Sequence, residues 1–390
     1  MLRLVGRLIL IVIVIAVAAG FFYRDRISQL LAVNSLFEEA NIVGNFSNMP
    51  GLFYSTELSR GNGPGSELPA GPALSLPEGY DAWVEERAIT SIVVMHNGEM
   101  VHEAYYLGTG EADRRISWSV AKSYLSTLIG TAVDAGEIAS LDDPVLKYAP
   151  SLAGTAYDGA RVIDVLQMES GADFDERYKV FSSDINRMGR VLALGGSMDK
   201  FAQSITATAR APGEQFQYVS IDTHVLGMIL RGATGQSVPD LLNARILEPL
   251  GLEADGAYIT DGQGVAFVLG GLNFTTRDYA RFGQMILNGG TWGGARLVSA
   301  EWLTAATRAS AKTEPGRIRY GYQWWIPADA DIDDPSHEYM GRGIYGQHLY
   351  INPRANVVIM QTAADIDFDA DGAFGESIDM FRAISAALGG

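Results

Sequence analysis

The stretch "ISWSVAKSYLSTLIGTAVDAG", Ile116 to Gly136, sets Ser119 three residues before Lys122 where a strongly apolar helix begins. A serine hydroxyl is a weak nucleophile at neutral pH and needs a base within hydrogen-bond reach. At i and i+3 the two side chains share one helix face, so the lysine amine can reach the serine oxygen. The helix start also offers unpaired backbone N–H groups and the positive dipole end, which suit a developing oxyanion. A lysine base must be neutral part of the time, and burial among Tyr124, Leu125, Leu128 and Ile129 would lower its pKa in that direction.

With 26 serines and 5 lysines in 390 residues, S-x-x-K should occur by chance about 0.3 times, yet the chain has two such motifs. Ser197-Met198-Asp199-Lys200 follows two glycines, carries an aspartate beside its lysine and reads as a plain helix N-cap. Further candidates come later in the chain. "PGEQFQYVS" places Tyr218 in a Y-x-S motif just before a helix, and "GRGIYGQHLYINP", 341 to 353, is a glycine-rich strand. Tyr178, in "SGADFDERYKVF", falls in a loop where it either lines a pocket or faces solvent, while Glu169-Ser170-Gly171 reads as structural. The five histidines (His96, His102, His224, His337, His348) show no H-x-x-x-H spacing, which argues against a metal site. His348 is near Ile344 in sequence and is a candidate neighbour of the cleft. The aromatic run "YGYQWW", 320 to 325, suits core packing.

These residues need a frame. "SIVVMHNGEMVHEAYY" has two β-rich runs around Asn97-Gly98, a strong two-residue hairpin signal. Helical patterns run from Ser119 to about Gly136, through "DTHVLGMILRGATG" and "VPDLLNARILEPLG", and again in "GESIDMFRAISAALGG". "GQHLYINPRANVVIMQTA" gives two strands. Strands at both ends with helices between predict an α+β fold, an antiparallel sheet assembled from the two ends of the chain around a helical insertion.

The N-terminus reads differently. "LILIVIVIAVAAGFFY", between Arg7 and Arg24, has 16 uncharged residues, about 24 Å of helix that flanking residues can extend. The reading is an uncleaved transmembrane anchor over 1–27, with Phe21, Phe22 and Tyr23 at the interface. A signal peptide cleaved after the small residues 16–18 is the competing reading. Residues 28–79 then form an amphipathic helix (Ile27, Leu30, Leu31, Leu36) and a Gly/Pro-rich linker or arm, and 80–390 the catalytic domain. On this reading the protein is a single-pass protein of the cytoplasmic membrane, its domain on the periplasmic side. A net charge of -17 excludes a nucleic-acid footprint, and the absence of cysteine excludes thiolate metal sites and a cysteine nucleophile.

"SWSVAKS", "PGEQFQYVS" and "ILEPLGLE", in this order and spacing, resemble the serine hydrolases related to class C β-lactamases, penicillin-binding D,D-peptidases and esterases. Within them the likeness is to the 6-aminohexanoate-dimer hydrolase type, over roughly residues 80 to 390. The resemblance implies a β-lactamase/transpeptidase-like fold with a helical subdomain and no cofactor. It implies an acylated Ser119, Lys122 as its base and Tyr218 as the proton shuttle. Ser220 stands where the Y-x-N motif often has asparagine. Gly341-Arg342-Gly343 takes the place of the K-T-G strand without its lysine, and Ile344 would supply the second oxyanion N–H beside that of Ser119. Gly343, Ile344, Ser220 and Tyr178 are the expected substrate-side residues. The expected activity is hydrolysis of a small ester or linear amide. A non-catalytic anchored module of the same fold and a D,D-peptidase or β-lactamase are the alternatives. No G-x-S-x-G occurs, which weakens a Ser–His–Asp triad.

Overall fold

The run "ITSIVVMH" buries both its faces: Ile92 and Val94 enter one apolar layer, Val93 and Met95 the other. A strand covered on both sides reads as a continuous apolar stretch, as here. The computed structural model describes residues 5–7, 14, 33, 35–316 and 318–389. Its strands are β1 (Ser55–Leu58), β2 (Ile89–His96), β3 (Glu99–Tyr105), β4 (Arg115–Ile116), β5 (Gly256–Ile259), β6 (Leu272–Phe274), β7 (Thr291–Trp292), β8 (Ala295–Arg296), β9 (Arg319–Tyr320), β10 (Trp325–Ile326), β11 (Tyr339–Gly343), β12 (Gln347–Asn352) and β13 (Val357–Ala363). The helices that matter for the site are α1 (Ile42–Ser47), α2 (Tyr80–Glu86), α3 (Ala121–Asp134), α4 (Ser220–Thr234), α5 (Thr276–Leu287) and α6 (Ala373–Ala387).

The main sheet has seven strands in the order β3-β2-β13-β12-β11-β10-β9, antiparallel throughout. Its strands come from the two ends of the domain, as expected. Asn97 and Gly98 both hold positive φ (53° and 83°), the signature of a type I′ turn, and join β2 to β3. One sheet face is covered by α2 and α6 through Tyr80, Trp83, Phe381 and Ile384, and the other by α5. Between β4 and β9 lies the helical insertion. There α3 packs against α4, and every residue of α3 from Ala121 to Ala132 is buried. Its buried Ser123, Thr127 and Thr131 hydroxyls donate to backbone carbonyls, which lets a helix with polar residues lie in the interior.

A second, four-stranded sheet, β1-β5-β6-β4, ties the N-terminal region to the domain through β1 on β5. The Gly/Pro-rich stretch 59–79 carries no helix or strand and lies along the domain. Met100 N–H donates to Pro69 O (2.7 Å), Leu74 N–H to Val101 O (2.9 Å) and the Arg281 guanidinium to Ser66 O (2.8 Å).

The transmembrane and periplasmic-membrane expectation is corrected here. Among the described residues no helix is long and apolar enough to cross a membrane, because the apolar helices are spent on the interior. Most of the stretch that carried the expectation, and of the amphipathic helix after it, lies outside the described residues. Of that second helix the structure describes its end, where Leu36 is buried and α1 begins at Ile42.

Candidate active site

Ser119 sits in a single 3₁₀ turn, Trp118–Val120, that runs directly into α3. Trp118, just before it, holds φ of +42°, a conformation that costs a non-glycine residue about 1–3 kcal/mol and is found where the surroundings enforce it. Lys122 is 1% exposed, and its Nζ has no hydrogen-bond partner. The amine lies 5.4 Å from the centre of the Tyr218 ring. Burial pulls its pKa from the ordinary lysine value down to about 7, against the partly offsetting pull of the Glu176 and Asp222 carboxylates. Desolvation penalises the charged form, so the amine is neutral for a substantial fraction of the time near neutral pH.

Tyr218 precedes α4, and its phenol is near enough to the Ser119 hydroxyl for that group to pull its pKa down, against the larger opposing effect of burial. Its ring packs on Trp325 with centroids 5.1 Å apart. The run "YGYQWW" therefore divides: Trp324 and Tyr320 are core, while Trp325 is half-buried and backs the tyrosine. Burial first, and the Glu176 carboxylate second, push the Tyr218 phenol well above its usual range. Tyr218 thus stays protonated, which suits a relay better than a standing base.

The glycine-rich strand β11 comes up against this turn. A Cβ on Gly341 would meet Ser123 Oγ at 3.0 Å, and one on Gly343 would meet Ser117 O at 2.6 Å and Ser119 N at 3.0 Å. Only glycine lets the strand end approach the serine backbone so closely. Ile344 opens the turn after β11, so its N–H and that of Ser119 both lie in first turns, where no intrahelical partner exists. Arg342, between the glycines, leaves the strand on the side opposite to them, as the two-residue side-chain period requires; its guanidinium lies 3.9 Å from the Phe374 ring of α6 and 5.8 Å from that of Trp325, and its charge acts on Tyr218 and Tyr178. His348, its partner on β12, is also on that face, against Phe374 and Phe381, and burial lowers its pKa to about 3. It is not a cleft residue. A small open cleft behind the strand is lined by Arg342, His348 and Gln361, among others, and none of Ser119, Lys122 and Tyr218 borders it.

Two carboxylates complete the site, and neither was singled out in the sequence. Glu176 accepts the Ser220 N–H (2.9 Å), the Ser220 hydroxyl and the Tyr178 hydroxyl (2.7 Å). Burial raises its pKa, with Lys122 pulling the other way. Ser220 and Tyr178, both expected on the substrate side, thus have their hydroxyls engaged by Glu176. Asp222 is fully buried and accepts from Tyr157 and Ser170 (2.8 Å each), and burial lifts its pKa to about 7. Both carboxylates act on Lys122, each favouring its charged form against the larger effect of burial. Ser197 by contrast caps a short helix, its hydroxyl accepting Lys200 N–H at 3.3 Å.

A serine followed by a buried lysine beside a tyrosine, set at the edge of an antiparallel sheet with a helical insertion, defines a β-lactamase-fold hydrolase. The Beta-lactamase family model matches residues 81–365, and the chain belongs to that family. It is 31% identical over 330 residues to the 6-aminohexanoate-dimer hydrolase of Paenarthrobacter ureafaciens, covering 81% of this chain and 82% of that one. Among solved structures it is similar to a Bacillus anthracis protein assigned as a 6-aminohexanoate-dimer hydrolase (TM-score 0.79, 22% identity, 90% of this chain and 96% of that one). It is also similar to EstCE1, a hydrolase with promiscuous acyltransferase activity (TM-score 0.60, 16% identity, 80% and 96%).

Proposed function

We propose that the protein hydrolyses small esters or linear amides through an acyl-enzyme on Ser119. The observation that carries this reading is the Lys122 amine: buried, without a hydrogen-bond partner, and lowered to about 7 beside the Ser119–Tyr218 pair. Ser119 Oγ attacks the carbonyl carbon as its proton passes to the Tyr218 oxygen and the tyrosine's own proton passes to Lys122. The carbonyl oxygen, now negative, rests on the N–H groups of Ser119 and Ile344. Collapse expels the alcohol or amine, which takes its proton back from Lys122 through Tyr218. Water then attacks the ester on Ser119 along the same proton route and releases the acid.

The likeness to a hydrolase of the 6-aminohexanoate dimer supports an amide among the substrates. Arg342 bears on the β-lactam alternative. It stands between the glycines of the strand that carries K-T-G in penicillin-recognising relatives, and its guanidinium lies on Phe374, with the Trp325 ring at 5.8 Å. Gly341, at the place of that lysine, has no side chain to contact a substrate carboxylate, and losing a contact worth about 1.5–3 kcal/mol corresponds to about 10- to 150-fold in acylation. The test has two arms. A fluorophosphonate probe should label the wild-type chain and not Ser119→Ala; an unlabelled wild type would favour a non-catalytic module. kcat/KM should be higher for a p-nitrophenyl ester of a short acid than for a chromogenic cephalosporin, and the reverse order would move the assignment to a β-lactamase.

A further inference from the structure

We infer that the N-terminal arm is a clamp that positions the two oxyanion donors. This rests on the acyl-enzyme reading above and adds a part of the chain that the family match, starting at residue 81, does not include. The residue before one donor is Trp118 and the residue after the other is Tyr345. Both are non-glycine residues at positive φ, 42° and 59°. Each such conformation costs about 1–3 kcal/mol unless its neighbours hold it.

The arm supplies most of those neighbours, the other being Phe368, 4.8 Å from the Tyr345 ring. Phe37 stacks on Tyr345 with centroids 4.8 Å apart and planes within 14°, and lies 5.8 Å from Trp118. Phe46, fully buried on α1, stands edge-on to both, 5.6 Å from Trp118 and 5.5 Å from Tyr345. Edge-on and offset aromatic pairs are each worth about 0.5–1.5 kcal/mol beyond the area they bury, the same order as the strain to be held. The arm is itself anchored on the near side of the site. Arg115, 1% exposed and four residues before Ser119, donates to Val43 O (2.6 Å) and Ser47 Oγ (2.7 Å). The geometry thus joins the arm to both ends of the oxyanion pair and to neither Lys122 nor Tyr218. Phe37 and Phe46 are positioning residues.

Phe37 is the place to test this, because its ring is 42% exposed and its loss should leave the fold standing. In the full chain, Phe37→Ala should lower kcat for a short p-nitrophenyl ester about tenfold with KM within about twofold, since the oxyanion contact forms in the transition state. The acid limb of the pH–rate profile should not move, because the proton route is untouched. Phe37→Tyr, which keeps the stack, should restore kcat to within about twofold of wild type. Phe37→Leu, which keeps apolar bulk without a ring face, should behave as the alanine variant, and serves if that variant is unstable. Wild-type kcat in both Phe37→Ala and Phe37→Leu, an equal loss in Phe37→Tyr, or a change confined to KM would overturn the clamp. Those results in a chain whose Ser119 still takes the fluorophosphonate leave the acyl-enzyme reading intact. A wild-type chain that neither labels nor hydrolyses overturns that reading and the clamp with it.

Discussion

The two S-x-x-K motifs have the same spacing and different surroundings. Ser119 stands in the turn that opens α3 and Lys122 in the helix's buried stretch, the lysine 1% exposed, beside Tyr218 and two buried carboxylates. Ser197 and Lys200 begin a short helix at the surface. The serine hydroxyl is occupied by a backbone N–H, and the lysine side chain is exposed. Spacing brings a lysine within reach of a serine in both. Only desolvation makes one of the amines a base near neutral pH, and only the first serine has a glycine strand pressed against its backbone.

The largest expected difference is between the serines. Ser119→Ala should lower ester turnover by about 10⁴-fold or more, the scale of a lost nucleophile. Ser197→Ala should leave turnover unchanged and cost about 1 kcal/mol of stability, as a lost N-cap does. Parallel kinetics and denaturant titrations check both, and equal losses of turnover would erase the distinction.

Next come the lysines. Lys122→Met should cost about 10²–10⁴-fold in kcat/KM, the range for a general base, while Lys200→Met should cost nothing measurable. Tyr218→Phe removes one hydroxyl and little volume, and should cost about 10²-fold if the phenol relays the proton. Wild-type turnover in the phenylalanine variant would reduce Tyr218 to packing.

The smallest effect is on pH. Lys122 must be neutral to act, so kcat/KM should rise with pH through the region of 7 and level off above it. Glu176 and, less strongly, Asp222 raise the lysine pKa by favouring its charged form. Glu176→Gln and Asp222→Asn remove that preference, so each should move the acid limb to lower pH, Glu176→Gln further. Movement to higher pH would mean that the carboxylates act on another group. Asp222 carries a second consequence, with its own sign. Its folded pKa, about 7, lies above the unfolded value, so folding favours the protonated carboxyl, and stability falls as pH rises from about 4 to 7. Asp222→Asn should therefore melt later than wild type at pH 8, provided the amide oxygen keeps the Tyr157 and Ser170 bonds.

Much of the frame was readable from local signals. Asn97-Gly98 announced its hairpin because both residues tolerate positive φ, and Gly136, at φ 72°, marked the end of α3. Ser197 read as a cap because capping is a local act. Glu176 was hidden for the opposite reason: "DFDERYKV" looks like a solvated loop, and only the fold, by laying it against Ser220, removes the water. Asp222 had a usable signal, a lone acid in the apolar run "YVSIDTHVLGMIL". Trp325 was grouped with its buried neighbours, since nothing in "YGYQWW" tells which indole meets Tyr218. An arm was expected over 28–79, but not what it touches, because contacts such as Phe37 to Tyr345, about 300 residues apart in sequence, leave no local pattern.

The sheet closed by both ends of the chain also bears on when the protein can act during its synthesis. Strand β2 is complete at His96, but its partner β13 begins at Val357, and the two meet at the His96–Val357 register. Closing so long a loop costs only about 0.6 kcal/mol more per doubling of length, so the finished fold bears it easily. A growing chain cannot close it at all. Until about residue 344 has left the ribosome, the nascent polypeptide holds its serine, lysine and tyrosine but lacks the strand end that would steady a tetrahedral intermediate. On the proposed acyl-enzyme reading, hydrolytic competence is thereby deferred to the last moments of translation.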